Sequence, residues 1–450
     1  MVSSYYDDLV PDFNSSRRKS HLIPAIFNLS ATIIGGGVLT LPLAFQKCGI
    51  FLSIILMIVS GIITECALLL LCLSARISKA QTYGEVGKAA FGADGEYFIS
   101  LILFVYLMFV LVAFMIFVQD IWASILEIIL HKQEGDLNES LVLFVVLILM
   151  SPFFVQKSLY NLRYNCYVGF FSIPILLVAL SHHDWAVSTP RPLKFWSSSV
   201  EDILFAFPVI NLSFLCVFNV LPIQASLIHP TRERMKLVID FALGGAFMLM
   251  VPFGISGYLY AGEKVSGNIL NSITSDGDWL FFLGRLGCGI TLTLAMPLMV
   301  LPCRENLLKL IDVVVNGPHA VETDEELPLI INNVKKKVSD NNEDNVSSNN
   351  KGKRLDGNIW FRYLVTLGMI NTSYLISIRI PGVAVVWSLA GSSMAFFIAF
   401  ILPGACYLQI QHRYPHQESR VWLWFSYGLV AVFPLVSIVC TSQSIFRLLS

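Results

Sequence analysis

Apolar runs long enough to cross a bilayer recur along nearly the whole chain, and they leave it few ways to fold. Hydrocarbon offers no water to backbone N–H and C=O groups, so a crossing segment must pair them internally. A helix that does so needs about 20 mostly apolar residues. Eleven runs qualify, at 23–46, 49–74, 98–129, 141–156, 164–182, 201–228, 236–260, 278–302, 360–379, 381–410 and 421–447. The fourth is short and ends at Ser151-Pro152, and only "RIPG" separates the ninth from the tenth. The reading is an all-α multi-pass membrane protein with eleven transmembrane helices. Composition agrees: 55% of residues are hydrophobic and 14% charged, where a soluble domain carries about 25% charge. Lipid is therefore the expected partner of much of the surface. A net charge of −1 argues against a nucleic-acid partner.

The polar residues divide the chain. Residues 1–22 read as a cytoplasmic tail, 23–302 as spans one to eight, 303–359 as a cytoplasmic loop and 360–450 as spans nine to eleven. Within that loop, 317–357 contains "VSDNNEDNVSSNNKGKR", too polar to offset its ordering entropy, and is expected to be disordered. No secretory signal is apparent, so the first run reads as a retained span. With the N-terminus inside, 22 of the 30 Lys and Arg residues fall on the cytoplasmic side. That asymmetry sets the orientation and puts the C-terminus outside or in a lumen.

The first span contains "SATIIGGGVLTLP" (30–42), with breakers in its middle. Glycine costs about 1 kcal/mol and proline about 3 relative to alanine inside a helix. A break at membrane depth persists only where protein or a water-filled cavity surrounds it. In carriers built from inverted repeats, paired broken helices meet near the midplane. Half-helix N-termini there bind an anionic group, and freed carbonyls bind a cation. A second interrupted span should then open the second half. The sixth, "DILFAFPVINLSFLCVFNVLPIQASL" (202–227), carries Pro208, Asn211, Ser213, Asn219 and Pro222. Close helix packing is the competing reading of the glycines, and the paired interruption favours a site.

These residues lead to a family. "IFNLSATIIGGGVLTLPLAF" (26–45) resembles the first span of the amino acid/auxin permease family. "FLCVFNVLPIQASLIHPTRERM" (214–235) resembles its sixth span and following loop. "GYLYAGEKVSGNIL" (257–270), "MPLMVLPCRENLLKLI" (296–311) and "IPGVAVVWSLAGSSMAFFIAFILPGACYL" (380–408) are similar to its seventh-span exit, eighth-span end and tenth span. The likeness is nearest to the sodium-coupled neutral amino acid branch and its plant vacuolar relatives. It implies a secondary-active carrier for neutral amino acids with a five-plus-five inverted repeat, broken helices 1 and 6, and an extra eleventh helix. By this resemblance Ile34, Gly35, Gly36, Gly37 and Val38 meet the substrate, with Asn211, Ser213 and Cys216 of the sixth span. Asn28 occupies the cation-site asparagine position, with the Thr291 and Thr293 hydroxyls nearby. The coupling ion is Na+ or H+, and no other cofactor is implied.

The chain departs from the pattern in three places. Val217 stands where relatives carry histidine after cysteine, Ala295-Met296 replaces a threonine-bearing pair before Pro297, and 183–200 lacks the cysteine of an outer disulfide.

Other polar residues have plainer readings. Glu65 within the second span is either a proton-relay candidate or a bonded structural carboxyl. Asp120 and Glu127 read as interfacial, and Tyr106 as an aromatic that packs or closes over substrate. The nine cysteines show no metal spacing and read as packing residues. Asn138-Glu139-Ser140 is a sequon in an outer loop. "YDDL" (6–9) and "EELPLI" (325–330) fit sorting signals that tilt the address toward vacuole or endolysosome over plasma membrane. No nucleotide loop, metal cluster or nucleophile constellation marks an enzyme. The rivals to a carrier are a receptor that senses an amino acid at the same site without flux, and a channel.

Overall fold

The computed structural model describes residues 18–133, 135–156, 165–186, 193–273, 278–316, 359–414 and 420–449. Among them the regular elements are helices, apart from a single bridge between Ser20 and Leu227. The helices are α1 (Leu22–Ile33), α2 (Leu41–Cys48), α3 (Ile50–Ser78), α4 (Tyr83–Phe91), α5 (Ala93–Leu130), α6 (Glu139–Phe154), α7 (Asn165–Ala186) and α8 (Val200–Ser213). They continue with α9 (Val217–Ser226), α10 (Arg232–Ala261), α11 (Trp279–Asn316), α12 (Ile359–Ser377), α13 (Val383–Ala390), α14 (Leu402–Arg413) and α15 (Arg420–Leu449).

Among the described residues, seven helices or continuous helix pairs are long and apolar enough to cross a membrane. An eighth is the pair α1 and Gly36–Cys48, bent by 40°. The runs at 141–156 and 164–182 form shorter apolar helices, and the run at 360–379 forms the 19-residue α12. α11 continues to Asn316, so 303–316, read as the start of the polar loop, is helical. The tail before residue 18, both sorting signals and 317–357 lie outside the described residues.

Polar side chains start the helices where the chain turns. Thr82, Asn138, Ser199 and Thr231 each accept a backbone N–H from the first turn of α4, α6, α8 and α10, satisfying donors the helix cannot pair itself. Asn138, head of the sequon, is thus the cap of α6. The α2–α3 turn requires glycine. Gly49 has φ +83°, and a Cβ there would sit 2.7 Å from the Phe195 backbone. The reason is a crossing segment: Ile50 and Phe51 donate to the carbonyls of Lys194 and Phe195, and Ser197 donates to that of Cys48.

The centre of the bundle is α5 against α11, with α7 on the far side of α11 and α13 wedged against α5 and α8. At about 1.5 Å per residue, the 38-residue α5 is ~57 Å long and outreaches a hydrocarbon core of about 30 Å. α15 lies outermost, turning Val421, Trp424, Leu435, Ile438 and Phe446 outward. Such an apolar face is stable only against lipid.

Candidate functional site

Both interrupted spans are broken, at particular residues. α1 ends at Ile33, Gly35 is extended, and the chain re-enters as a tight 3-10 turn over Gly36–Thr40 before α2. Gly36 and Gly37 open that turn, where leading N–H groups have no acceptor within the helix. The sixth span breaks at Phe214–Cys216, between α8 and α9. Pro208 and Pro222 lie inside helices on either side, so the prolines flank the break and do not make it.

The two breaks touch. A Cβ on Gly37 would lie 3.3 Å from Ser213 Cα. The Ser213 hydroxyl donates to the Val209 carbonyl at 3.0 Å and lies 3.4 Å from that of Gly37. Below them, Asn219 Nδ2 of α9 donates to Thr32 Oγ1 at 2.9 Å, and Thr32 donates to the Asn28 carbonyl at 2.9 Å. The half-helices α1 and α9 are therefore tied by side chains. A second tie lies at their ends away from the breaks, where Arg18 donates to the carbonyls of Gln224 and Ala225 at 2.8 and 2.9 Å.

A cavity of about 660 Å³ begins at these breaks. Gly35, Gly36 and Gly37 line its deep end with Tyr106, Phe114, Leu292 and Trp387. It runs to Thr82, Tyr83, Asn306 and Lys309, where the Thr82 and Lys309 side chains meet solvent. Lys309 is the charged side chain among the described lining residues, and Glu96 pairs with it at 3.4 Å. Tyr83 is buried at that mouth and donates to the Ile398 carbonyl at 2.7 Å. Burial pushes its phenol above the usual range, so it remains a neutral donor.

At the deep end the Gly36–Thr40 turn is itself covered, because the turn Ile269–Ser272 packs on it. Residues 262–273 form a lid of short 3-10 turns. Asn268 and Asn271 both donate to Asp120 Oδ2 of α5, at 3.2 and 2.8 Å. Arg285 of α11 donates to the lid carbonyls of Leu270 and Ile273 at 2.8 and 3.0 Å, and to Ser124 at 2.6 Å. Gly267 packs on α13, where a Cβ would meet Ala384 at 2.7 Å. Asp120 is thus an anchor for the lid. Glu127 is also buried, with its Oε1 accepting the N–H of Gly135 and Leu137. Glu65 faces the carboxyl of Asp240 on α10.

The sequence-derived residues divide by position. Ile34, Gly35, Gly36, Gly37, Ser213, Tyr106, Asn28 and Thr291 line the cavity. Val38, Asn211, Cys216 and Thr293 are buried and do not line it. The Thr293 hydroxyl donates to the Gly289 carbonyl and accepts from Trp122 Nε1. Thr291 donates to the Gly287 carbonyl at 2.8 Å. Its own carbonyl accepts Asn165 Nδ2 of α7 at 2.7 Å. Asn165 was not among the expected residues. It lines the cavity, is 7% exposed, and its Oδ1 has no hydrogen-bond partner. Its one sequence signal is a lone amide at the start of an apolar span. The described cysteines are mostly buried, and Cys288 lines the cavity wall.

Comparison with known proteins agrees with this architecture. A family model described as transmembrane amino acid transporter protein matches residues 18–446. Human solute carrier family 38 member 10 is 24% identical over 427 residues, covering 93% of this chain and 35% of the human protein. The putative sodium-coupled neutral amino acid transporter 10 of Xenopus laevis is 25% identical over 287 residues, covering 63% of this chain and 27% of the frog protein. Amino acid transporter AVT6E of Arabidopsis thaliana is 24% identical over 312 residues, 65% of this chain and 64% of the plant protein. The chain spans about a third of the length of the solute carrier relatives. Mhp1, a nucleobase-cation-symport-1 family transporter solved in a closed conformation with bromovinylhydantoin bound, shares the fold. Its TM-score is 0.55 at 12% identity, covering 98% of this chain and 94% of that one.

Proposed function

The chain belongs to the transmembrane amino acid transporter family, a family of membrane carriers and not of enzymes, and on that premise we propose that it moves neutral amino acids by alternating access. The observation that carries the reading is the meeting of two broken spans at the deep end of a cavity open at one end and lidded at the other. In this account the Gly36 and Gly37 amides hold the substrate carboxylate, as helix N-termini hold anions. The half-helices α1 and α9 shift together through Asn219–Thr32. The described wall is mostly apolar, its polar side chains are neutral, and it offers a charged side chain only at Lys309, already paired with Glu96. A charged substrate side chain would therefore lie unpaired at membrane depth, which costs several kcal/mol, and this selects neutral ones.

The finer architecture in this proposal is eleven spans in two inverted five-span repeats plus α15. The shorter α6, α7 and α12 then cross with help from bilayer thinning or tilt. The N-terminus is cytoplasmic, so the cavity mouth faces the cytoplasm, and the membrane is vacuolar, endolysosomal or plasma membrane. Transport is coupled to Na+ or H+. A cation site would draw on Asn28, Thr291 and the unpartnered Asn165 oxygen, with Thr293 behind them. Uptake of a panel of amino acids into proteoliposomes under imposed sodium or proton gradients tests this. Saturable uptake of neutral amino acids supports it. Binding without flux would make the protein a receptor, and flux that never saturates would make it a channel. Uptake that follows pH and ignores sodium replacement removes the sodium site.

A further inference from the structure

Trp387 of α13 is an indole whose polar group has nowhere to go. The residue is 4% exposed, lines the deep end of the cavity, and its Nε1–H has no hydrogen-bond partner. A buried donor left unsatisfied costs about 1–3 kcal/mol, a cost that a purely apolar aromatic side chain here would not carry. The rings around it are Phe114, edge-on at 6.4 Å, and Phe117, tilted at 6.4 Å. Neither offers an oxygen.

Its position relates it to the first break. α13 packs directly on the Gly36–Thr40 turn. The side chains that a Cβ on Gly36 would meet at 3.4 Å are Phe114, Phe117 and Leu292. Two of these are the rings that flank Trp387. The Gly36 amide and the Trp387 indole therefore share one wall of the cavity. A carboxylate has two oxygens and about four acceptor positions, more than two backbone amides fill. Of the polar side chains at the two breaks, Asn219 is spent on Thr32, Thr32 on Asn28, and Ser213 on Val209, which leaves Trp387 and the Tyr106 hydroxyl on this part of the wall.

We propose that Trp387 is a substrate-binding residue whose indole N–H donates to the carboxylate of the bound amino acid, as a third donor beside Gly36 and Gly37. This rests on the carrier reading above. The acceptor is the part of the substrate that every amino acid shares, so the contact sets affinity for the whole class and does not choose among side chains. It also gives α13 a differential contact with loaded and empty protein, the requirement for a ligand to bias a conformational equilibrium.

The test is uptake kinetics in proteoliposomes for Trp387→Phe, which keeps an aromatic side chain and removes the donor. Trp387→His, which restores an N–H in a smaller ring, is measured beside it. A charge-assisted bond in a dry site is worth about 10- to 100-fold in affinity. The expected result is KM raised by that factor for Trp387→Phe, equally for substrates with different side chains, with the maximal rate within about twofold. Trp387→His recovers part of the loss. Competition by an amino alcohol, which lacks the carboxylate, is unchanged by either substitution. In wild-type protein labelled with 15N-tryptophan, one indole N–H resonance moves downfield on adding amino acid, a readout that survives if a variant does not fold. An unchanged KM with no indole shift overturns the proposal while leaving the carrier reading intact. A loss confined to substrates with an acceptor on the side chain overturns the carboxylate assignment. Wild-type protein that binds and transports no amino acid overturns the carrier reading itself, and this proposal with it.

Discussion

The lid gives the most quantitative handle on how the cavity is closed. Asp120→Ala removes the acceptor for both Asn268 and Asn271, at 3.2 and 2.8 Å. A hydrogen bond to a charged group nets about 1.5–3 kcal/mol, so two sum to roughly 3–6. The Asn271 contact is exposed, which places the effect at the lower bound, about 3 kcal/mol. Each ~1.4 kcal/mol is tenfold, so the fraction of molecules with the lid open should rise about a hundredfold. Arg285 keeps its bonds to Leu270 and Ile273, so the lid is loosened and not lost. Cys288 lines the cavity and is buried, which makes it the reporter. With the other cysteines replaced, a membrane-impermeant maleimide added on the lid face should label it about a hundred times faster in Asp120→Ala. A rate within about threefold of the parent, in protein that is still monodisperse, would refute the latch.

Other expectations rest on single contacts. Gly391→Ala places a Cβ 2.6 Å from the Pro208 carbonyl oxygen and 3.0 Å from its carbon. That is backbone that cannot rotate away, so overpacking of about 1–3 kcal/mol should lower the melting temperature in detergent. Asn219→Leu removes the donor to Thr32, leaves α1 and α9 tied only at the Arg18 end, and should lower the maximal uptake rate more than it changes KM. Arg18→Ala deletes the donor to the end of α9 and should speed proteolysis near residue 20 without altering substrate affinity.

How far these features could be read from sequence depends on how local their causes are. The apolar runs and the triple glycine are local, and the first break falls at Ile34–Gly35, beside the glycines that announce it. The second break is not local. Its residues, Phe214, Leu215 and Cys216, include no breaker, while Pro208 and Pro222 sit within helices. What fixes it is packing across the chain, Ser213 on Gly37 and Gly391 on Pro208. The same reasoning explains what was missed. Asn165 meets Thr291 across 126 residues and Asn271 meets Asp120 across 151, and neither pairing leaves a trace in spacing or periodicity. Thr293 carries a suitable hydroxyl at a suitable spacing, yet Trp122 and Gly289 occupy it.

The central claim is that the paired breaks form the substrate site of a carrier, and Gly36→Val tests it most directly. A Cβ at Gly36 reaches Leu292, Phe114 and Phe117 at 3.4 Å, so the two further methyls of valine must enter the cavity beside the amides. Measured side by side in proteoliposomes, the parent protein should show saturable uptake of a neutral amino acid. The variant, reconstituted to the same level, should show at least a tenfold loss in uptake efficiency. Uptake and affinity equal to the parent's would contradict the account.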